Sequence, residues 1–343
     1  MKIIVLAGGL SNERDVSLTS GALVANALIK NGHRVALIDT YLGADNLEFS
    51  TTPNFSHKVD ETLPNLDELI AKHGDKPIGK NVLEFCQQAD IVFNANHGGI
   101  GENGMLSAIL DCYKIKYTGS SQVGMAISMN KNIAKVVVQN YGLNVPLGMV
   151  FSNSATTNIR EVTEFVQNWS SFPCVVKPMN NGSSVGVALI DTRQQLTQTL
   201  TEISNNPNDI DDYLVEERIV GREFSVGVLA GNSLPSIEII PQGGFYDYKH
   251  KYQAGATLEI CPAEIPSDLE KNMQKQAIIA HNALLLGGYS RTDFIVTPAN
   301  KIYFLETNSL PGMTPTSLLP QEAQAVGIDY NQVCEEIIKY AIG

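Results

Sequence analysis

Apolar residues first cluster in an unbroken run at 3–7 that ends at Gly8-Gly9. A second run, 35–38, follows a stretch at 16–29 whose apolar positions recur at helical spacing. Strand, helix, strand in that order predicts βαβ units and a parallel sheet, because an unalternating apolar run suits a strand covered on both faces. Residues 43–65 are polar and irregular, with Pro53 and Pro64, and read as a surface insertion before another helix. A short strand at 91–93 then enters the glycine-rich segment 97–104 and a helix at 106–111, and residues 118–121 mark a first boundary.

Beyond that boundary the periodicity predicts a helix over 131–140, a strand within 145–151 and a helix over 159–169. Two strands, 172–177 and 187–190, flank a glycine-serine loop. A strand at 212–217 opens the third part, which continues as alternating strands, a polar loop at 243–256, one helix, a closing hairpin and a last helix over 330–341. The 343 residues suit two or three domains, and a composition of 43% hydrophobic and 17% charged residues excludes disordered and fibrous classes. A net charge of -12 argues against nucleic acid or a membrane surface as partner, since both are polyanions. No apolar run reaches the roughly 18 residues of a membrane span, and the start is too short for a secretion signal, so a cytoplasmic protein is expected. Cys86, Cys112, Cys174, Cys261 and Cys334 have no paired spacing and read as reduced, buried thiols.

Three motif matches fail on context. Gly74 to Lys80 fits a phosphate-cradling loop, but Asn81 stands where the metal-binding hydroxyl belongs and the segment follows a helix. Gly99 to Gly104 fits the dinucleotide fingerprint without an acidic residue about 20 positions on, and Ser128 to Lys131 fits a serine acyl-enzyme motif without its downstream partner. The strongest constellation is the closing hairpin. With Ala299-Asn300 as a two-residue turn, Asp293 faces Glu306 and Arg291 faces Asn308, all on one face, while Phe294, Val296, Tyr303 and Leu305 take the core side. Oxygen donors so grouped suit Mg²⁺ or Mn²⁺; a salt bridge from Arg291 to Asp293 or Glu306 is the plainer alternative. An acidic protein that binds phosphate needs local cations, and Lys131 and Lys177, with the loop carrying Gly182, Ser183, Ser184 and Gly186, are placed to supply them.

Val175-Val176-Lys177-Pro178 followed by Gly182-Ser183-Ser184-Val185-Gly186, then Arg291-x-Asp293 and Leu305-Glu306-x-Asn308-x-x-Pro311-Gly312-Met313-Thr314, resembles the D-alanine-D-alanine ligases of the ATP-grasp superfamily. The resemblance runs through the whole chain. It takes in Gly8-Gly9-x-Ser11-x-Glu13-Arg14-x-Val16-Ser17, His97-Gly98, Gly101-Glu102-x-Gly104, Thr118-Gly119-Ser120, Phe245-Tyr246-Asp247-Tyr248, Lys251-Tyr252 and Ser317-Leu318.

The resemblance implies an α/β protein with an ATP-grasp fold. Its parts would be a parallel-sheet preATP-grasp domain (1–119), a small central lid domain (120–212) and a C-terminal α+β domain (213–343), with ATP between the last two. It implies that Lys131 and Lys177 hold the nucleotide phosphates under the loop Ser183-Ser184-Val185, and that Glu216, Glu217, Ile219 and Glu223 bind adenine and ribose. Asp293, Glu306 and Asn308 would hold two Mg²⁺ or Mn²⁺ ions. Glu13, Val16, His97, Lys251, Tyr252, Arg291, Gly312, Ser317 and Leu318 would surround two D-alanines, with Glu13, Ser183, Tyr252, Arg291 and Ser317 acting in the reaction. The implied activity joins two D-alanines through an acyl phosphate for peptidoglycan precursor synthesis, in a homodimer. Asn103, Asn130, Asn181 and Arg218 depart from the family's usual residues. Rival readings are a ligase making D-alanyl-D-serine or D-alanyl-D-lactate, a nicotinamide-dependent oxidoreductase, and a silent binding protein.

Overall fold

The computed structural model describes residues 1–58, 64–153, 159–169, 172–180, 186–206, 212–241 and 257–343. Strands β1 (Lys2–Ala7), β2 (Arg34–Asp39) and β3 (Ile91–Asn94) form a parallel sheet in the order β2-β1-β3, with α1 (Arg14–Lys30) as the first crossover. Residues 3–7 are fully buried, as the unbroken apolar run requires. The polar segment after β2 is tied down: Val35 bridges to Ser50, and the Asn26 side chain bonds both the N-H and the carbonyl of Phe55. Five helices follow along the chain, α2 (Leu66–His73), α3 (Val82–Cys86), α4 (Gly99–Glu102), α5 (Met105–Cys112) and α6 (Gln122–Met129), before α7 (Lys131–Asn140).

The second sheet is antiparallel, in the order β4 (Gly148–Phe151), β7 (Tyr213–Glu217), β5 (Cys174–Pro178), β6 (Ala188–Ile190), and is covered by α8 (Ile159–Trp169) and α9 (Arg193–Asn205). The third runs β11 (Thr257–Ile260), β10 (Ile237–Pro241), β8 (Arg222–Leu229), β12 (Tyr289–Val296), β13 (Ile302–Asn308), with β9 (Asn232–Ser233) on β8. Helix α10 (Ser267–Ala283) packs its apolar face on this sheet. Helices α11 (Leu318–Ala325) and α12 (Tyr330–Ile342) follow, and α12 packs against α1 in the core of the first sheet. The chain therefore returns to its start. Asn31 donates to the Asn331 carbonyl at 2.9 Å, and His33 meets Glu335 at 2.9 Å.

Two sequence expectations need correction here. The closing hairpin turns through three residues, Pro298, Ala299 and Asn300, with Asn300 left-handed at φ 57, so Phe294 pairs with Phe304 and Val296 with Ile302. A bulge between Asp293 and Phe294 in this pairing inserts Leu305, and beyond it Asp293 faces Glu306 and Arg291 faces Asn308. The polar pairs thus stand, while Ile302 and Phe304 replace the expected Tyr303 and Leu305 in the core, because a one-residue slip exchanges the faces. All five cysteines are free, yet Cys112 is exposed and Cys261 only half-buried. Among the described residues no helix is long and apolar enough to cross a membrane.

Candidate active site

The loops at the C-terminal ends of β1 and β3 are sewn together by buried hydroxyls, and an ion pair ties the first of them to the end of β2. Gly8 and Gly9 both take positive φ, which lets the chain turn sharply from β1 into α1. Ser17 accepts from the Gly8 N-H and donates to the Ala95 carbonyl, each at 2.8 Å. Arg14 bonds the Gly9 carbonyl and pairs with Asp39. This places Glu13, the residue that starts α1, beside His97 and Glu102. The His97 Nδ1 lies 3.2 Å from the Leu310 carbonyl, which only accepts, so Nδ1 carries the proton and Nε2 accepts from Ser20 at 3.1 Å. Burial holds His97 below the usual histidine range and thus neutral. Burial, reinforced by the neighbouring Glu13, pushes Glu102 up to about 7 against the Gly98 N-H that it accepts at 2.8 Å.

On the third sheet the polar groups interlock. Asp293 Oδ1 accepts from Ser225 at 2.7 Å and from Arg291 Nε at 3.0 Å; Oδ2 accepts from Arg291 at 3.0 Å and from Asn308 at 3.2 Å. The Arg291 to Asp293 salt bridge foreseen as the plainer reading is therefore present, running along the strand. Glu306 Oε2 lies 3.5 Å from the Lys131 ammonium. Among the described residues no three His, Cys, Asp or Glu side chains converge as a metal cluster, so the donor set here is two carboxylates and an amide. Such a set of oxygen donors fits a hard divalent cation shared with phosphate better than zinc.

Between these two regions lies a cavity of about 480 Å³. Glu13, Val16, His97, Arg291, Gly312, Ser317 and Leu318 line it together with Lys131, Glu306 and Asn308. Residues as far apart in sequence as Glu13 and Leu318 thus meet on one volume, as the resemblance implies for the D-alanine site. The start of α11 faces it, with Ser317 at the N-cap and the Ser317 hydroxyl accepting from the Thr314 N-H at 3.1 Å. A helix N-terminus of this kind favours a carboxylate. Glu102, Glu259, Thr314 and Thr316 also line the cavity and were not singled out from the sequence. Glu102 stood in a quoted motif, and its burial beside Glu13 comes from tertiary packing that gives no linear signal.

Apart from Lys131, the described residues expected at the nucleotide sit elsewhere. Lys177, on β5, pairs with Glu216 on β7, and Glu216 pairs also with Lys135 on α7. The Glu216 carboxylate is thus held by two lysines at 3% exposure. Burial alone would raise Glu216, yet the two ammoniums hold it below the usual carboxylate range. Glu217, Ile219 and Glu223 do not line the cavity; they are half-buried at the crossing from β7 to β8. There Arg218 lies 3.5 Å from Asp191. Ser183, Ser184, Val185, Lys251 and Tyr252 lie outside the described residues, as does Asn181. Lys135 was missed, although it occupies the inner stripe of α7 with Ala134 and Val138, a position where a lysine is out of place unless it has a partner.

Comparison with known proteins completes the assignment. The models of the D-ala D-ala ligase N-terminus and C-terminus match residues 2–120 and 137–339. A D-alanine--D-alanine ligase from Pediococcus pentosaceus is 38% identical, over 98% of this chain and 97% of that one, and the enzyme of that name from Aquifex aeolicus is 34% identical over 98% and 100%. Among solved structures, the D-alanine--D-alanine ligase from Bacillus anthracis complexed with ATP superposes with a TM-score of 0.77 at 26% identity, covering 100% of this chain and 97% of that one. A D-Ala:D-Ser ligase from Enterococcus faecalis superposes with a TM-score of 0.74 at 25% identity, covering 99% of each chain. With two family models covering most of its length and relatives of this identity over nearly all of it, the chain belongs to the D-alanine-D-alanine ligase family of the ATP-grasp type.

Proposed function

We propose that the protein joins two D-alanines into D-alanyl-D-alanine, with ATP converted to ADP and phosphate. The observation that carries this is the cavity of about 480 Å³ in which Glu13, Arg291 and the start of α11 face one volume alongside Lys131 and Glu306. That set offers an anion for an ammonium, a cation and helix N-H groups for carboxylates, and a lysine for a phosphate. The relatives named D-alanine--D-alanine ligase at 34% to 38% identity support this substrate over a hydroxy acid or D-serine.

A carboxylate is a poor electrophile, so an oxygen of the first D-alanine attacks the γ-phosphorus of ATP, ADP leaves, and an acyl phosphate forms. Lys131 and Lys177 offset the charge of the transferring phosphoryl. The amine of the second D-alanine then attacks the acyl carbon. Arg291 and backbone N-H groups near Gly312 stabilise the tetrahedral oxyanion until inorganic phosphate departs and the amine gives up its proton. Glu13 holds the first ammonium, and Ser317 with Leu318 holds the second carboxylate at the start of α11. Asp293, Glu306 and Asn308 would hold Mg²⁺ or Mn²⁺, which when bound neutralises phosphate charge. Glu217, Ile219 and Glu223 are assigned to the nucleoside, Ser183, Ser184 and Val185 to the phosphates of ATP, and Lys251 and Tyr252 to the D-alanines. We assign residues 1–119, 120–212 and 213–343 to three domains of a cytoplasmic homodimer.

Phosphate release from Mg-ATP is the test, with D-alanine, L-alanine, D-serine and D-lactate supplied alone and in D-alanine pairs, and with product mass determined. Release that requires D-alanine and yields the dipeptide is the expected result. Turnover only with a mixed pair overturns the substrate, and no turnover with any pair overturns the activity.

A further inference from the structure

The buried trio of Lys135, Glu216 and Lys177 is more than an ion pair requires. Exposure is 5%, 3% and 8% for the three residues, and one carboxylate accepts from both ammoniums. Burying a charge is costly even when it is paired, so a second lysine on an already satisfied carboxylate is not a stability device. Its consequence is electrical. A lone Glu216-Lys177 pair would be neutral, whereas two ammoniums and one carboxylate leave one net positive charge beside the place where phosphate is transferred.

Position supports the same reading. Lys131 and Lys135 are one helical turn apart on α7, so they share a face. Lys131 reaches Glu306 at 3.5 Å while Lys135 reaches Glu216. The helix thus addresses the carboxylate at the mouth of the cavity with one lysine and the carboxylate behind Lys177 with the next. Glu216 lies opposite Val175 on β5, diagonal to Lys177, and Gly148 on the other neighbouring strand leaves room: a Cβ there would stand 3.1 Å from the Glu216 Cβ.

We propose that Lys135 is a positioning residue for phosphoryl transfer: it holds the Glu216 carboxylate, which fixes Lys177 in place, and it offsets the charge of Glu216 so that Lys177 stays effectively cationic toward ATP. The inference rests on the ATP-dependent activity proposed above. Burial pushes the Lys135 ammonium down to about 7 and the repulsion of Lys177 adds to this, so the net positive charge is fullest below neutral pH and is lost as pH rises through that value.

The test is the affinity of the full-length protein for a non-hydrolysable ATP analogue with Mg²⁺, measured by calorimetry beside phosphate release with D-alanine. Lys135→Met is expected to weaken analogue binding about tenfold, because Glu216 then cancels Lys177. The double variant Lys135→Met with Glu216→Gln removes the uncompensated carboxylate and is expected to recover binding to within about threefold of the parent. Lys135→Arg, which keeps the charge, is expected to stay close to the parent. A purely structural lysine gives the opposite ranking, with the double variant no tighter than Lys135→Met, and that result overturns the proposal, as does a Lys135→Met protein that binds like the parent. Lys135→Gln serves for the same comparison if the methionine variant does not fold. Parent protein that binds the analogue yet releases no phosphate with D-alanine overturns the ligase activity and not the trio's role in binding.

Discussion

Strands β1 and β12 are both almost wholly buried, yet they are built differently. From Ile3 to Ala7, β1 is apolar on both faces, whereas β12 turns Phe294 and Val296 to the core and Arg291 and Asp293 to the other side. Parallel neighbours covered by helices leave β1 no face for chemistry, so its functional groups are pushed to the loop beyond its C-terminal end, at Glu13. The antiparallel third sheet keeps one face for the site and satisfies it with hydrogen bonds. Substitution in β1 should therefore damage stability, and substitution on the polar face of the third sheet should damage turnover.

Glu306→Gln is the strongest test of that division. Its side chain is 27% exposed and off the core, so turnover is expected to fall on the order of a thousandfold, with the melting temperature little changed. Near-normal phosphate release would remove Glu306 from the site. Ile4→Ala is the converse change: unfolding in urea should show a loss of about 2–5 kcal/mol, with kcat preserved in the folded protein. Equal loss of kcat would mean that the first sheet transmits strain into the site.

The core side of β12 has its own titration. His281 on α10 meets the Ser290 hydroxyl at 2.7 Å, and burial pushes its pKa down to about 4 from an ordinary 6.5. Between those values the unfolded chain binds the proton and the folded chain does not, so stability falls as pH drops through this window, by about 3 kcal/mol. Urea titrations at several pH values should show a shallower dependence for His281→Gln; identical slopes would mean that the folded histidine is charged. Smallest is Tyr330→Phe. The hydroxyl donates to the Met313 carbonyl at 2.7 Å, and its loss should cost about 1 kcal/mol while raising the KM for D-alanine, because Met313 follows the cavity-lining Gly312. An unchanged KM would separate this anchor from the substrate loop.

Much of the architecture could be read from the chain. The βαβ start and the helices Lys131–Asn140 and Ile159–Trp169 follow from local periodicity, a property of residue order, whereas the facing of Asp293 with Glu306 stands only because the Leu305 bulge offsets the extra turn residue. Short or weakly amphipathic helices escaped: α6 is apolar almost throughout, and α9 is mainly polar, held by Leu196 and Leu200. The Leu305 bulge escaped because nothing local distinguishes it from a regular strand residue.

Residue order thus settled most of the longer elements and which side chains were candidates, and the family resemblance carried by its motifs supplied the fold class. Packing alone decided that Glu216 turns to Lys135 and Lys177, that His97 is fixed by the Leu310 carbonyl, and that the last helix closes the core of the first sheet. Those contacts join residues tens to hundreds of positions apart. Their energy comes from excluding water around several elements at once, which no single segment of sequence can express.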